Sequence, residues 1–431
     1  MTVDRFGRVG RRDLFALALP AATMAVLAGC GTEGGDARVL TAPGVRRETP
    51  PPDLPLSDVV HGMTGFGHAL YAAVARPDAN AVLSPLSVAC AFAMARAGAR
   101  GAAAAALDRV FGFPAAGPHQ AFNALTRRIV TSDGPPPDDE DEDAATRPPV
   151  VAVANGLFVQ QDATVGAEFL RTLAAQYGAG VRSVDFTAGA AREINAWVDR
   201  QTAGRIKKLF DRLSPQTRLV IANAVYLKAR WLFPFEEPAG ERGAAFTRAD
   251  GGQVRTDLMR KHEVFPYAAG PGWQAVALPY VRGELAMWVL VPARGTAPGG
   301  MLAPDRLREV RDGLADAPVR VAIPRWDFAT GLDLEPALRR LGLGAIFDDG
   351  ADFSGIAPGL SVGQVAHRAN ITVDEMGTEA AAATGMAMAV SAPAEPVAEV
   401  RADHPFAFAI MHTPTATPLF IGHVAEPAAA R

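Results

Sequence analysis

The chain holds just two cysteines, Cys30 and Cys90, so no disulfide framework organises it. Its formal net charge is −4 at pH 7, which leaves no basic footprint for nucleic acid. The HExxH zinc signature and the phosphate-cradling P-loop are both missing, so neither a metal nor a nucleotide cofactor is expected. No internal repeat is found. What is present is apolar material for a sizeable core, 49% of 431 residues. Cys90 lies in Val88-Ala89-Cys90-Ala91-Phe92, an apolar helical run that points to a buried structural thiol.

Residues 1–29 read as a targeting signal and are kept out of the fold. Arg5, Arg8, Arg11 and Arg12 make a positive first region, and Arg11-Arg12-Asp13-Leu14-Phe15 has the twin-arginine export pattern. Leu14 to Ala28 is apolar, interrupted by Pro20, and short for a membrane span. It ends in Leu27-Ala28-Gly29-Cys30, which resembles a bacterial lipobox. That pattern implies cleavage before Cys30 and lipidation of its thiol; the plainer alternatives are an ordinary signal or an uncleaved anchor. The lipid would be the sole membrane contact. Residues 30–58 carry many Gly, Pro and Thr from Gly31 to Pro55 and read as a flexible tether. They lead to one globular domain, 59–427.

Within that domain Phe66, Leu70, Tyr71 and Val74 have helical spacing. Ser84 then offers a side-chain cap and Pro85 a preset first turn for a second helix. Residues 133–149 hold five prolines and the acidic run Asp138 to Asp143. They read as an exposed, solvated insertion, without the spaced ligands and turn glycine of a dedicated calcium loop. Arg218 to Trp231 is apolar on both parities, the pattern of a strand buried on both faces. Asn223 inside it needs a partner. Gln364 to Asp374 alternates, with Val365, His367, Ala369, Ile371 and Val373 on the apolar side. His367 poses the same problem there. Two lone polar residues in two buried strands are expected to satisfy one another. The competing reading makes His367 a base and Ser84 its nucleophile, but no Gly-x-Ser-x-Gly elbow surrounds Ser84.

The stretch Asn370 to Pro393 carries the most information. After Gly377 it becomes small and nearly uncharged, yet the alternation continues. Thr378, Ala380, Ala382, Thr384, Met386 and Met388 share one parity and would line an interior, while Glu379 would face water. A segment able to stay exposed, yet patterned as a strand, is a two-state element.

Glu375, Gly377, Thr378, Glu379, Ala380, Ala381, Ala382, Ala383 and Thr384 resemble the hinge motif of the serpins. Asn80 to Gly101, Ile194-Asn195-Ala196-Trp197-Val198, Trp231, Asp352-Phe353-Ser354-Gly355 and Pro418-Leu419-Phe420-Ile421-Gly422 resemble further segments of that family, in order. The resemblance implies an α+β fold with three β-sheets, a large central sheet A, eight to nine helices and an exposed reactive-centre loop at 375–400. It implies a "shutter" of Ser84, Ser87, Asn223 and His367, and a "breach" at Trp231. It also implies a monomer that is not an enzyme. Such a protein traps a serine or cysteine protease as a covalent acyl-enzyme when the cleaved loop enters sheet A. By family spacing the reactive bond is Ser391–Ala392, with Val390 and Met388 as runners-up. These residues are small or apolar, which points to elastase-like or subtilisin-like targets. A non-inhibitory serpin, acting as protease substrate or binding module, is the alternative. A hydrolase has no motif to support it.

Overall fold

The computed structural model describes residues 37–115, 117–132, 134–136, 148–235, 240–379 and 395–427. The first half runs β1 (Arg38–Leu40), α1 (Ser57–Val74), β2 (Ala81–Leu83), α2 (Pro85–Gly98), α3 (Gly101–Phe111), α4 (His119–Ile129), β3 (Val150–Gln160), α5 (Ala167–Tyr177), β4 (Val181–Val184), α6 (Ala190–Gln201) and β5 (Leu219–Arg230). The second runs β6 (Glu241–Thr247), β7 (Gln253–Gly270), β8 (Trp273–Pro279), β9 (Leu285–Pro292), α7 (Pro304–Gly313), β10 (Ala315–Pro324), β11 (Trp326–Asp333), α8 (Glu335–Leu338), β12 (Gln364–Val373), β13 (Gly377–Thr378), β14 (Ala398–Arg401), β15 (Phe406–His412) and β16 (Thr417–Val424).

The first sheet has the order β1-β4-β3-β5-β13-β12-β11. The other strands form a continuous ladder, β14-β10-β7-β8-β9-β15-β16-β2, with β6 against β7. The expected second and third sheets are joined through β7, whose 18 residues pair with β6 and β10 along one part and with β8 at the end.

β5 is buried on both faces because its two parities meet different cores. Leu219, Ile221, Val225 and Leu227 join the main cluster with Phe92 of α2. Val220, Ala222 and Ala224 join a second cluster with Ile194, Trp197 and Val198 of α6. α2 starts as its sequence dictates: the Ser87 amide donates to Ser84 Oγ at 3.2 Å and Pro85 opens the helix. It is buried along most of its length and ends at Gly98, where a Cβ would lie 2.1 Å from Ile356 Cγ1.

One expectation is overturned. The tether reading of residues 30–58 fails for its second part. β1 pairs antiparallel with β4, Arg38 against Ser183 and Leu40 against Val181. Beyond it, Arg47 donates to Asn123 Oδ1 at 3.0 Å and Thr126 Oγ1 at 2.6 Å, and the Glu48 amide donates to Ala175 O at 2.7 Å. Proline-rich composition signals a linker only where nothing needs covering. Here β4 presents an open edge, and buried Asn123 needs partners. Arg47→Ala is expected to lower the unfolding free energy by about 2 kcal/mol, the range for charged hydrogen bonds to buried acceptors. Urea denaturation checks this; an unchanged midpoint would mean that the segment only rests on the surface.

Candidate functional site

The site is a slot in the first sheet. Low in the slot β5 and β12 pair directly in parallel, from Val220↔Gln364 to Val225↔Ala369. Higher up they part, and β13 sits between them. Thr378 is opposite Ala229 on one side and Val373 on the other. The chain reaches this position by a tight reversal after β12. Asp374 Oδ1 accepts from the Met376 and Gly377 amides at 2.8 and 3.1 Å, and burial holds the Asp374 carboxyl above the usual carboxylate range. Gly377 is required by close approach, since a Cβ there would lie 2.1 Å from Ala229 O.

Trp231 stands at the mouth of the slot. Its indole Nε1 donates to Asp374 O at 3.0 Å and its amide to Met376 O at 3.0 Å. The ring stacks on Tyr280 with centroids 4.5 Å apart, and the Tyr280 hydroxyl meets Thr378 Oγ1 at 2.6 Å. Glu375 is held by an ion pair with Arg325. Tyr280 and Arg325 were not legible as site residues; nothing in their local sequence marks them.

Lower in the slot the four polar residues come together. His367 Nε2 accepts from the Ser84 amide at 3.1 Å, so its proton sits on Nδ1, which donates to Asn223 Oδ1 at 2.6 Å. Asn223 Nδ2 in turn donates to Ser87 Oγ and to Asn155 Oδ1, each at 2.5 Å. Asn155 was missed. It is a polar residue inside the apolar run Val150 to Val159 of β3, the same signal that marked Asn223 and His367.

His367 is wholly buried, and burial drives its pKa down to about 3. Both ring nitrogens are occupied by the network, so it is not free to act as a base. The chain does contain Gly359-Leu360-Ser361-Val362-Gly363. A nucleophile elbow needs a strand before the serine and a helix after it; here a turn precedes and β12 follows. Stability carried by neutral His367 is complete above pH 6.5 and is lost as pH falls toward 3, because the unfolded histidine binds the proton. By pH 4.5 this amounts to about 2–3 kcal/mol. Urea titrations at pH 7 and pH 4.5 should therefore diverge more for the natural chain than for His367→Gln. Equal divergence would mean that His367 does not titrate on unfolding.

Glu379 corrects the sequence reading. It was expected to face water and is only 5% exposed. Continued from Thr378↔Ala229, the register sets it beside Lys228, on the face that α6 covers. Its φ is +53°, a left-handed conformation that costs a non-glycine residue about 1–2 kcal/mol. β13 ends at Thr378, directly before this residue. Ala380, Ala381, Ala382, Ala383, Thr384, Ser391 and Ala392 lie outside the described residues, as do Cys30, the export signal and the acidic run. Among the described residues no cluster of His, Cys, Asp and Glu suited to a metal is found.

The family model for serpins (serine protease inhibitors) matches residues 61–427. An uncharacterized serpin-like protein of Thermococcus kodakarensis is 34% identical over 86% of this chain and 86% of its own length. The leukocyte elastase inhibitor of Bos taurus is 33% identical over 81% of this chain and 94% of its own. Among solved structures, the native thermophilic serpin tengpin superposes with a TM-score of 0.80 at 21% identity, over 91% of this chain and all of that one. Thyroxine-binding globulin in complex with thyroxine superposes at 0.73 with 24% identity, over 86% and 99%. A family match over residues 61–427, joined to this slotted sheet, makes the chain a member of the serpin family.

Proposed function

We propose that this chain is a suicide-substrate inhibitor of serine or cysteine proteases, which traps the acyl-enzyme by drawing its cleaved loop into the first sheet. One observation carries the reading: hinge residues Gly377 and Thr378 already occupy the mouth of the slot, with Thr378 in register with both neighbouring strands. Continued in that register, Thr384 would come opposite both Asn223 and His367. Insertion would then replace the direct β5–β12 ladder, and the hydrogen bond that closes it, with two antiparallel ladders. Antiparallel pairing is slightly the more stable per residue. Ala380 to Ala383 pass between strands with little steric resistance, and no charge or proline interrupts them.

The Ser391–Ala392 bond is the proposed reactive bond, with the acyl side at Ser391 or at the runners-up Val390 and Met388. An elastase-like or subtilisin-like enzyme is the proposed target, a class that matches the name of the bovine relative. Incubation with pancreatic elastase, subtilisin and trypsin tests this. The first two are expected to give an SDS-stable complex, with mass spectrometry finding the cut between Met388 and Ala392. Cleaved chain without complex would select the second reading, a non-inhibitory serpin, which the likeness to a thyroxine-bound fold relative keeps in view. The lipobox reading makes the working form a lipoprotein on the outer face of a bacterial membrane, or extracellular if released. Globomycin-sensitive processing before Cys30 is the corresponding test.

A further inference from the structure

We propose that the seated hinge is a proton-controlled latch, in which the Glu379 carboxyl is tucked under the turn after α6 against Arg205 and leaves the sheet when it ionises. The geometry is unusual for an acidic side chain. Glu379 Oε2 is buried and accepts no hydrogen bond among the described residues, and it forms a long ion pair with Arg205 Nε at 3.6 Å. That arginine is half exposed, with 48% of its side-chain surface open to water, so its compensation is partial. The groups that face Glu379 come from three elements. Tyr226 and Lys228 stand on β5, Arg205 on the connection from α6, and Asp327 on β11.

A carboxylate there keeps too little compensation for its lost water, whereas a protonated carboxyl is tolerated. Burial pushes the Glu379 pKa up to about 7, Asp327 adds to the rise, and Arg205 and Lys228 oppose it. Once the hinge leaves the slot, the side chain meets solvent and titrates near 4.5, the ordinary value.

The direction follows from the two values. The seated state binds the proton more tightly, so it is favoured in full below pH 4.5 and loses ground as pH rises toward 7. Across that interval the seated-to-released ratio falls by up to about 300-fold. Above neutrality the hinge is freed, and the bait loop gains the length of Gly377 to Glu379. Below it, Thr378 remains bonded to Tyr280 and the loop is held short. The functional meaning of this length change rests on the trapping reading; the latch itself does not.

Hydrogen–deuterium exchange on the full chain tests it at one pH at a time. The reporters are the Glu379 amide, which donates to Thr372 O, the Trp231 amide to Met376 O, and the Phe235 amide to Glu375 O. At pH 8 these amides are expected to exchange at least tenfold faster in the natural chain than in Glu379→Gln. At pH 4 the two should agree. Gly377→Ala, which cannot seat, gives the released reference at both pH values. Arg205→Met should accelerate exchange at pH 8 in the natural background and have no effect in the Glu379→Gln background, a coupling that a merely structural arginine would not show. Unchanged exchange in the β9 core confirms that each variant is folded.

Equal rates for the natural chain and Glu379→Gln at pH 8 would overturn the latch, and so would an Arg205→Met effect of the same size in both backgrounds. An SDS-stable elastase complex formed alongside equal rates would sink the latch and leave trapping intact. A working latch in a chain that forms no complex with any of the three proteases would do the reverse.

Discussion

Nicking the chain near Ser391 is expected to raise its melting temperature by about 10–15 °C. The intact fold keeps its slot filled only at the mouth, by Gly377 and Thr378. Below them β5 and β12 bond to each other in the parallel register. Once the loop is cut, residues 380 onward are free to continue β13. Each added backbone hydrogen bond is worth about 0.5–1.5 kcal/mol net. In the same register Met386 and Met388 would come opposite Ile221 and Leu219, on the face of the main core, and each methionine so buried adds about 1.5–3 kcal/mol. A gain on the order of 10 kcal/mol in a domain of this size corresponds to the quoted shift. Differential scanning calorimetry before and after limited elastase digestion measures it. A nicked chain that melts at the same temperature as the intact one holds no stored free energy, and the trapping mechanism would have no engine.

The second large effect is expected from Thr384→Arg. The inserting strand must carry residue 384 between Asn223 and His367, against Ser84, Ser87 and Asn155. Every group in that network is neutral, His367 included, because its burial keeps it unprotonated down to about pH 3. A guanidinium arriving there finds hydrogen-bond acceptors but no anion, and desolvating it without a partner costs several kcal/mol. Insertion would slow by at least 100-fold, while hydrolysis of the acyl-enzyme proceeds unchanged. The variant should therefore be cleaved at the same bond and leave the protease active, with complex yield on gels down at least tenfold. Thr384→Ser keeps the hydroxyl and should behave as the natural chain does. If Thr384→Arg traps elastase as well as the natural chain, the strand does not pass through the polar network in this register.

These two outcomes separate what the fold stores from what the loop must do. Calorimetry reports the depth of the final state. Complex yield reports whether the strand arrives before water does. A chain that gains stability on nicking but traps nothing would be a spring that closes too slowly.

Much of the site could be read from residue pattern alone. Asn223 and His367 betrayed themselves as single polar residues in strands otherwise too apolar to tolerate them, and Asn155 was visible by the same rule. The Ser84–Pro85 helix start was local chemistry, since a cap and a preset φ need no distant partner. The alternation through Val365 to Val373 reappears as alternating burial in β12. What failed was each inference that assumed solvent where the fold supplies a neighbour. Residues 38–48 were read as part of a tether because the stretch Gly31 to Pro55 around them is rich in Gly and Pro, and Glu379 was sent to water because it is charged.

The sequence by itself determined the family, the two-sided burial of β5, and the strand-like alternation from Thr378 to Met388, because these depend on the order and size of side chains. Tertiary structure alone decided how far the hinge had already entered, which groups hold it, and where the N-terminal segment docks. Those outcomes depend on an open strand edge at β4 and on a slot between β5 and β12, surfaces built from residues distant in the chain. No local pattern encodes a vacancy that exists only once the rest of the sheet has formed.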